Sequence, residues 1–184
     1  MEFQSPLIRA KLIRRYKRFL SDVLLPDGRE VTVHCANPGS MMGLLDKDTV
    51  AWVEPNDDPK KKLKLAWRIA ELSTGALVLV DTVHANRIVK EALKNNKIPE
   101  FADRDFRPEV KYGGGSRIDF LLTDQAGRQT FVEVKSVTLS RETGSAEFPD
   151  SVTARGTKHL QELSKGVEQG HRAVMFYLIN RTDC

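Results

Sequence analysis

The sequence has few cysteines and lacks any long apolar run. Its 184 residues include two cysteines, Cys35 and Cys184, which is not the disulfide framework of a small secreted protein. No stretch approaches the roughly 18 consecutive apolar residues of a membrane-spanning helix. The N-terminal segment also lacks the apolar region and small-residue cleavage site of a secretory signal. These absences predict a cytoplasmic protein with no membrane partner.

Positive charge is in small excess and is clustered. The chain has 29 Lys and Arg residues against 25 Asp and Glu residues, a net charge of +4. Six basic residues fall between Arg9 and Arg18, with Tyr16 among them and Phe19 adjacent. A second cluster is formed by Lys60, Lys61, Lys62 and Lys64. Because Lys and Arg release counterions from a nucleic-acid backbone, the two clusters with their interleaved aromatics predict phosphate binding. The alternative is a solvated strand face. The candidate nucleic-acid contacts here are Arg14, Arg15, Lys17 and Arg18.

The first half of the chain has the pattern of a β-rich domain. Apolar and basic residues partly alternate over residues 7–25, and a turn signal follows at Pro26–Gly28. Four further strand-like runs are EVTVHC, TVAWVE, LKLAWRIAEL and ALVLVDT. Five short strands predict a small barrel of the OB type over residues 1–82. The LKLAWRIAEL run is also compatible with a helix. Trp52 and Trp67 are either core residues or stacking platforms, and core is favoured.

The second half, residues 83–184, alternates helical and extended patterns. Asn86 is a candidate N-cap for the first helix, and the last run is almost wholly apolar, as in a strand buried on both faces. The predicted elements are a helix at His84–Asn96, a strand at Glu109–Tyr112, a hairpin at Ser116–Val137, a helix at Thr153–Gln169 and a strand at Arg172–Asn180. The predicted order is therefore αβββαβ, and the fold class of the whole chain is α/β (α+β overall).

The hairpin carries charges among apolar residues. Side chains alternate between the faces of a strand, so Glu133 and Lys135 share a face. A turn at Gln125–Gly127 and a register symmetric about Ala126 place Asp119 opposite Glu133, since each lies seven residues away. Opposed Cβ atoms are about 5 Å apart in such pairs. We therefore expect two carboxylates to meet at this point of the sheet.

Two carboxylates repel at that distance unless positive charge lies near them. Lys135 offers one positive charge and a divalent cation offers two, and hard oxygen ligands suit Mg²⁺ or Mn²⁺. Such an ion polarises a phosphoryl oxygen, while the lysine orients water or stabilises developing negative charge. The pattern predicts Asp119, Glu133 and Lys135 as catalytic residues for phosphodiester hydrolysis. The alternative is a structural Asp–Lys pair on a solvated sheet face.

Asp119 followed by Glu133-Val134-Lys135, within this order of elements, resembles the PD-(D/E)XK nuclease superfamily. The proline of the motif is absent, since Ile118 precedes Asp119, and Pro149-Asp150 comes too late in the chain to be the match. The resemblance implies a restriction-endonuclease-like domain and a Mg²⁺ (or Mn²⁺) site with Asp119 and Glu133 as ligands. It also implies an acidic ligand from the first helix, for which Glu91 is the candidate. A solvent-facing Glu91 is the alternative.

The second predicted helix carries basic residues near its start. Arg155 and Lys158 are three residues apart and therefore share a helical face, with His159 beside them. In the resembled superfamily this helix often contacts the phosphate or supports the lysine. The resemblance thus implies that Arg155 and Lys158 bind phosphate.

Further motifs, in order along nearly the whole chain, resemble the SfsA (sugar fermentation stimulation protein A) family. They are HCANPGSM, ANRIVKEAL, GGGSRIDFLL, FVEVKSVTL, AEFPDSVTARGTKHLQEL and GHRAVMFYL. The resemblance implies an OB-like N-terminal domain, a nuclease-like C-terminal domain and DNA binding, and the family name reflects a link to sugar-utilisation genes in bacteria. Ala36 and Pro38 depart from the usual HCPNTG pattern. Family members continue for some tens of residues beyond NRTDC, where an outer helix is expected.

The function predicted from these observations is DNA binding without strong sequence preference, combined with a Mg²⁺-dependent nuclease site. No helix-turn-helix signature is visible for direct base readout, which favours binding through phosphate contacts. RNA stays open as a ligand. One alternative is a catalytically silent DNA-binding regulator of sugar (maltose-type) metabolism genes on a nuclease scaffold. Another is an OB-based binder of protein or oligosaccharide, whose binding would not depend on salt.

Overall fold

The structure is a computed structural model of the chain, and it describes residues 2–112, 116–148 and 154–184. The side chains of Ser116, Ala154, Arg155 and Lys158 lie outside the described part. The chain divides into two compact units. The first holds Met1–His84, Ser136–Pro149 and Ile179–Cys184, and the second holds Ala85–Lys135 and Asp150–Leu178. In the described ranges, no helix is both long and apolar enough to cross a lipid bilayer.

The described residues contain ten strands and two α-helices in a mixed order. The first six strands are β1 (Ile8–Tyr16), β2 (Leu20–Leu24), β3 (Glu30–Cys35), β4 (Val50–Pro55), β5 (Leu65–Glu71) and β6 (Leu77–Leu79). Then come α1 (Thr82–Lys94), a short 3₁₀ helix (Pro99–Phe101), β7 (Asp105–Tyr112), β8 (Ser116–Thr123), β9 (Gln129–Val137), α2 (Ala154–Glu168) and β10 (Arg172–Ile179). The described elements confirm the predicted αβββαβ order of the second half.

The first unit contains a closed five-stranded barrel. Its sheet has the order β3-β2-β1-β4-β5-β6, and β3 also pairs in parallel with β5, which closes the first five strands on themselves. Alternate residues point inward, among them Val23, Val33 and Trp67, all with no exposed surface. Trp67 is therefore a core residue, as favoured from the sequence. The LKLAWRIAEL run is a strand, not a helix, and β6 adds a sixth strand beside it.

The first predicted strand is in fact two strands. The turn between β1 and β2 is the loop Lys17–Phe19, not Pro26–Gly28, which instead separates β2 from β3. Lys17 and Arg18 both have left-handed backbones, with φ of 49° and 63°. Non-glycine residues adopt this conformation uncommonly, and Lys and Arg are not typical turn residues. The amino-acid composition of the loop therefore does not predict a turn here.

The second unit is a four-stranded sheet between two helices. The sheet order is β10-β9-β8-β7. One face packs on α1, where Val89 and Leu93 meet Phe120 and Val132. The opposite face packs on α2 through Leu163 and its neighbours. This alternation along β8 and β9 places Glu133 and Lys135 on the α2 side.

Two details of the second half differ from the sequence prediction. The first helix begins at Thr82 rather than His84, and the Val83 amide donates to Asp81 Oδ1 at 2.9 Å, so Asn86 is not the N-cap but lies inside the helix. The last strand is not buried on both faces: Tyr177 and Ile179 are 53% and 51% exposed. Phe176 and Leu178 pack into the core on the α1 side, while Tyr177 and Ile179 alternate onto the other face of the strand.

Candidate active site

The β8–β9 hairpin brings the predicted catalytic residues together. Paired positions run from Thr123 opposite Gln129 to Phe120 opposite Val132, the register that is symmetric about Ala126. The turn closes with the Gly127 amide donating to the Asp124 carbonyl at 2.9 Å, and Gly127 has a φ of 76°. The paired positions end one residue before Asp119 and Glu133, so both side chains lie where the two strands stop pairing.

The Asp119 carboxylate is held by two hydrogen bonds. The Val134 backbone amide donates to Oδ2 at 2.7 Å, and the Asn86 side-chain amide of α1 donates to Oδ1 at 2.8 Å. Burial, and after it the negative charge of Glu133, raise the pKa of Asp119 above its ordinary value, although both hydrogen bonds lower it. Asp119 therefore occupies a place where a positive charge would be favourable.

Glu133 is buried and binds two side chains through one oxygen. It is 6% exposed, and its Oε1 lies 3.0 Å from Lys135 Nζ and 3.1 Å from His159 Nδ1 on α2. Lys135 is 20% exposed at its side chain, so it reaches the surface while still paired. Lys135 therefore pairs with Glu133, whereas Asp119 accepts its hydrogen bonds from the Val134 amide and Asn86.

The same negative charges act on Tyr112, at the end of β7, and raise its pKa. Burial and then the charges of Glu133, Glu162 and Asp119 raise the pKa of Tyr112 to about 12. Its ring stacks on Phe131 with centroids 5.6 Å apart. A neutral tyrosine thereby forms one wall beside the carboxylates without adding a further charge.

The donor set fits a magnesium site that is completed by water and substrate. Within residues 2–112, 116–148 and 154–184, no three His, Cys, Asp or Glu side chains form a group that could hold a metal ion by themselves. Asp119 and Glu133 provide two carboxylates, and Mg²⁺ is usually held by one or two carboxylates together with waters and phosphate oxygens. Mn²⁺ accepts the same oxygen donors.

The role of Glu91 as a metal ligand stays a prediction. Glu91 is exposed on α1, five residues after Asn86. Five residues turn a helix by about 140° beyond a full rotation, so the two side chains leave α1 in different directions. From α1 it is the Asn86 amide that contacts Asp119.

The six basic residues predicted to bind nucleic acid differ in their surroundings. Arg14 donates to Asp22 Oδ2 at 2.8 Å, and Arg15 donates to three backbone carbonyls, those of Arg18, Asn37 and Gly39. Lys17 and Arg18 are exposed at the tip of the β1–β2 hairpin. Arg155 and Lys158 lie in α2, but their side chains are outside the described residues.

Asn86 and His159 are the site residues whose contacts the sequence did not reveal. Asparagine is a common N-cap residue, so the sequence suggested a cap at Asn86. Its contact with Asp119 joins residues 33 positions apart. His159 was noted only beside the basic residues of the second helix, yet its ring contacts Glu133, 26 positions away. Their positions on α1 and α2 put them near the sheet, but no local pattern identifies which strand residue each one meets.

Two family models match the chain in succession. The model described as "SfsA N-terminal OB domain" matches residues 13–80. The model described as "Sugar fermentation stimulation protein RE domain" matches residues 83–184. The first range begins within β1 and holds the other four barrel strands. The second begins at the second residue of α1 and holds the rest of the αβββαβ elements, with Asp119, Glu133 and Lys135.

Similar proteins cover the whole chain. A sugar fermentation stimulation protein homolog of Ruegeria sp. (strain TM1040) is 62% identical over 185 residues, covering 100% of this chain and 80% of that protein. The homolog of Marinomonas sp. (strain MWYL1) is 49% identical over 183 residues, covering 99% of this chain and 71% of that protein. The solved structure of Pyrococcus furiosus SfsA in complex with Ca²⁺ superposes with a TM-score of 0.86 at 26% identity, covering 98% of this chain and 75% of that one. The chain belongs to the sugar fermentation stimulation protein (SfsA) family.

Proposed function

We propose that this protein binds DNA largely without sequence preference and hydrolyses phosphodiester bonds in a Mg²⁺-dependent reaction. The observation that carries the hydrolysis proposal is the meeting of Asp119, Glu133 and Lys135 where β8 and β9 stop pairing. Two carboxylates can hold a divalent cation, and a lysine beside them can stabilise the negative charge that develops on phosphate during hydrolysis. The exposed cations at the β1–β2 hairpin support the DNA-binding part of the proposal.

Each side chain has a distinct part in the proposed reaction. Asp119 and Glu133 would hold the Mg²⁺ or Mn²⁺ ion, which when bound supplies a Lewis acid for a phosphoryl oxygen. Asn86 and the Val134 amide fix the Asp119 carboxylate in orientation. Lys135 would donate hydrogen bonds to the attacking water and to the negative charge that develops on phosphate.

A solved relative supports the cation in this proposal. The Pyrococcus furiosus SfsA structure is described as a complex with Ca²⁺. Ca²⁺ and Mg²⁺ are both hard cations that select oxygen ligands. A divalent ion bound by a protein with the same fold is consistent with the carboxylate pair of this chain as a cation site.

The second candidate function is a DNA-binding regulator of sugar-metabolism genes that does not cleave. The names of the relatives, which refer to stimulation of sugar fermentation, favour it. The presence of Lys135 beside Glu133 favours cleavage, because a scaffold that no longer cleaves has no need to retain that lysine. Both candidates share DNA binding and differ only in hydrolysis.

The test is cleavage of end-labelled nucleic acid by the wild-type protein and two variants. Single-stranded, duplex and branched DNA, and RNA, would be incubated with Mg²⁺, Mn²⁺ or EDTA. We expect cleavage with either metal, none with EDTA, and a loss of at least about 100-fold in Lys135→Ala and Asp119→Asn. If all three proteins bind DNA and none cleaves, the hydrolysis part of the proposal is wrong and the regulator is favoured.

A further inference from the structure

Two aromatic rings lie next to each other on the surface of the barrel. Phe19, the last residue of the β1–β2 loop, is 45% exposed, and His34 of β3 is also exposed. Their ring centroids are 6.4 Å apart and their planes differ by 19°, so the rings are nearly parallel. We call Phe19 and His34 the aromatic platform. Aromatic side chains that stay partly exposed can stack against nucleobases.

The platform is built on backbone that is already fixed. The Cys35 amide donates to the Phe19 carbonyl at 2.8 Å, and Leu20 pairs with His34 in the sheet. The guanidinium of Arg15 also donates to the carbonyls of Arg18 and Asn37, one on each side of the rings in sequence. The rings therefore need little ordering before a ligand binds, which favours affinity.

Two cations adjoin the platform. Lys17 and Arg18 precede Phe19 directly, and both have left-handed backbones. Both are exposed, and within the described part of the chain neither side chain has an ion-pair partner. Positive charge at the edge of exposed rings is complementary to a ligand that has flat rings and phosphates in alternation.

We propose that the aromatic platform binds an unpaired nucleobase, while Lys17 and Arg18 hold the neighbouring phosphates. A single strand presents base faces for stacking, whereas a duplex hides them between neighbouring base pairs. The barrel unit accordingly selects single-stranded nucleic acid, DNA or RNA. This inference rests on the nucleic-acid binding in the proposed function and is independent of hydrolysis, because the platform and the carboxylates belong to different units.

The experiment is a titration of fluorescently labelled oligonucleotides in EDTA, followed by anisotropy. The probes are oligo-dT, oligo-U of equal length and a DNA duplex. The variants are Phe19→Ala, Phe19→Trp and, as a matched control, Leu77→Ala, which removes an apolar side chain that is 39% exposed on β6. We expect Phe19→Ala to weaken single-strand binding by roughly 5- to 100-fold and duplex binding far less. Phe19→Trp should retain binding.

The outcomes separate this inference from the proposed function. If single strands and the duplex are weakened alike by Phe19→Ala, or if Leu77→Ala has the same effect, the platform does not recognise bases and the inference is wrong. If the wild type binds and Phe19→Ala binds equally well, the inference is wrong and the proposed DNA binding remains. If the wild type binds no probe, both are wrong. Tighter binding of oligo-dT or of oligo-U identifies which strand the platform prefers.

Discussion

At the scale of single residues, Asp119 illustrates how the sheet positions a charge. Just beyond the last paired positions of β8 and β9, Asp119 Oδ2 accepts the hydrogen bond of the Val134 amide. The same carboxylate accepts from Asn86. A short acidic side chain at this position therefore satisfies the backbone and at the same time faces a second carboxylate. Satisfaction of a buried amide keeps Asp119 in place even though its charge is unfavourable there.

The first prediction concerns the coupling of the two carboxylates. Glu133→Gln removes one negative charge, so the pKa of Asp119 in the metal-free protein should fall toward its ordinary value. It should not reach that value, because burial is the larger cause of the raised pKa and stays in place. Carboxyl ¹³C chemical shifts, followed by NMR as pH is varied, measure this directly. An unchanged or higher pKa would show that Glu133 does not act on Asp119.

The raised pKa of Asp119 also has a consequence for stability. The folded state holds this proton more tightly than the unfolded chain, so Asp119 destabilises the metal-free fold as pH rises from below the ordinary pKa to above the raised one. The contribution is absent at lower pH and complete at higher pH. The free energy of unfolding should therefore fall less steeply with rising pH in Glu133→Gln than in the wild type. Urea unfolding at a series of pH values tests this.

At the scale of elements, α2 packs against the sheet through a glycine. A Cβ at Gly166 would lie 3.0 Å from Cδ2 and Cε2 of the Phe131 ring, and Phe131 is buried. Gly166 thus allows the close approach of α2, the helix that carries His159 to Glu133. A glycine inside a helix destabilises it by about 1 kcal/mol relative to alanine. The close packing of α2 on Phe131, which only a residue without a Cβ allows, offsets this cost.

The prediction for Gly166→Ala is a net loss of stability. Overpacking against Phe131 should cost about 1–3 kcal/mol, which exceeds the roughly 1 kcal/mol gained in helix propensity. Chemical denaturation compares the wild type with Gly166→Ala and with Gly166→Ala/Phe131→Leu. The smaller side chain should recover part of the loss. A Gly166→Ala protein that is more stable than the wild type would mean that α2 does not approach the sheet this closely.

Substitutions in the β1–β2 loop should stabilise the protein, in contrast to Gly166→Ala. Lys17 and Arg18 adopt left-handed backbones, which asparagine tolerates better and glycine adopts without strain. Lys17→Asn/Arg18→Gly should raise the free energy of unfolding by about 1 kcal/mol. Thermal and urea unfolding measure the change. Loss of stability would argue that the two native side chains hold the loop through contacts of their own. Greater stability with weaker nucleic-acid binding would show a trade-off at this loop.

At the scale of the whole molecule, a net charge of +4 is too small to attract nucleic acid without local clustering. Lys17→Gln/Arg18→Gln should therefore reduce the slope of log K against log salt for oligo-dT by about 0.7 per removed contact. Lys94→Gln/Lys97→Gln removes the same total charge from two exposed lysines of the second unit and serves as the control. Equal slopes for the two double variants would indicate that net charge, not the hairpin, determines binding.

The placement of Asp119 and Glu133 on the hairpin could be predicted from the sequence better than the details of the barrel. Alternation along β8 and β9 determines which side chains share a face, and the turn at Gly127 sets the register, so the Asp119–Glu133 meeting followed from local rules. The β1–β2 turn did not, because Lys17 and Arg18 adopt a backbone that composition does not indicate. The exposure of Tyr177 and Ile179 depends on what packs against each face of β10, which is a property of the whole fold and not of the strand's own sequence. Asn86 and His159 reach the site through tertiary packing, which no local pattern encodes.

The most direct test of the carboxylate site is calorimetric titration of Mn²⁺ into the wild type, Asp119→Asn, Glu91→Gln and the control Glu168→Gln, an exposed acid at the end of α2. We predict one site in the wild type, unchanged in Glu168→Gln and weakened by at least about tenfold in Asp119→Asn. Weakening in Glu91→Gln as well would add Glu91 to the ligands. Mn²⁺ binding that is as tight in Asp119→Asn as in the wild type would contradict the metal site at Asp119 and Glu133.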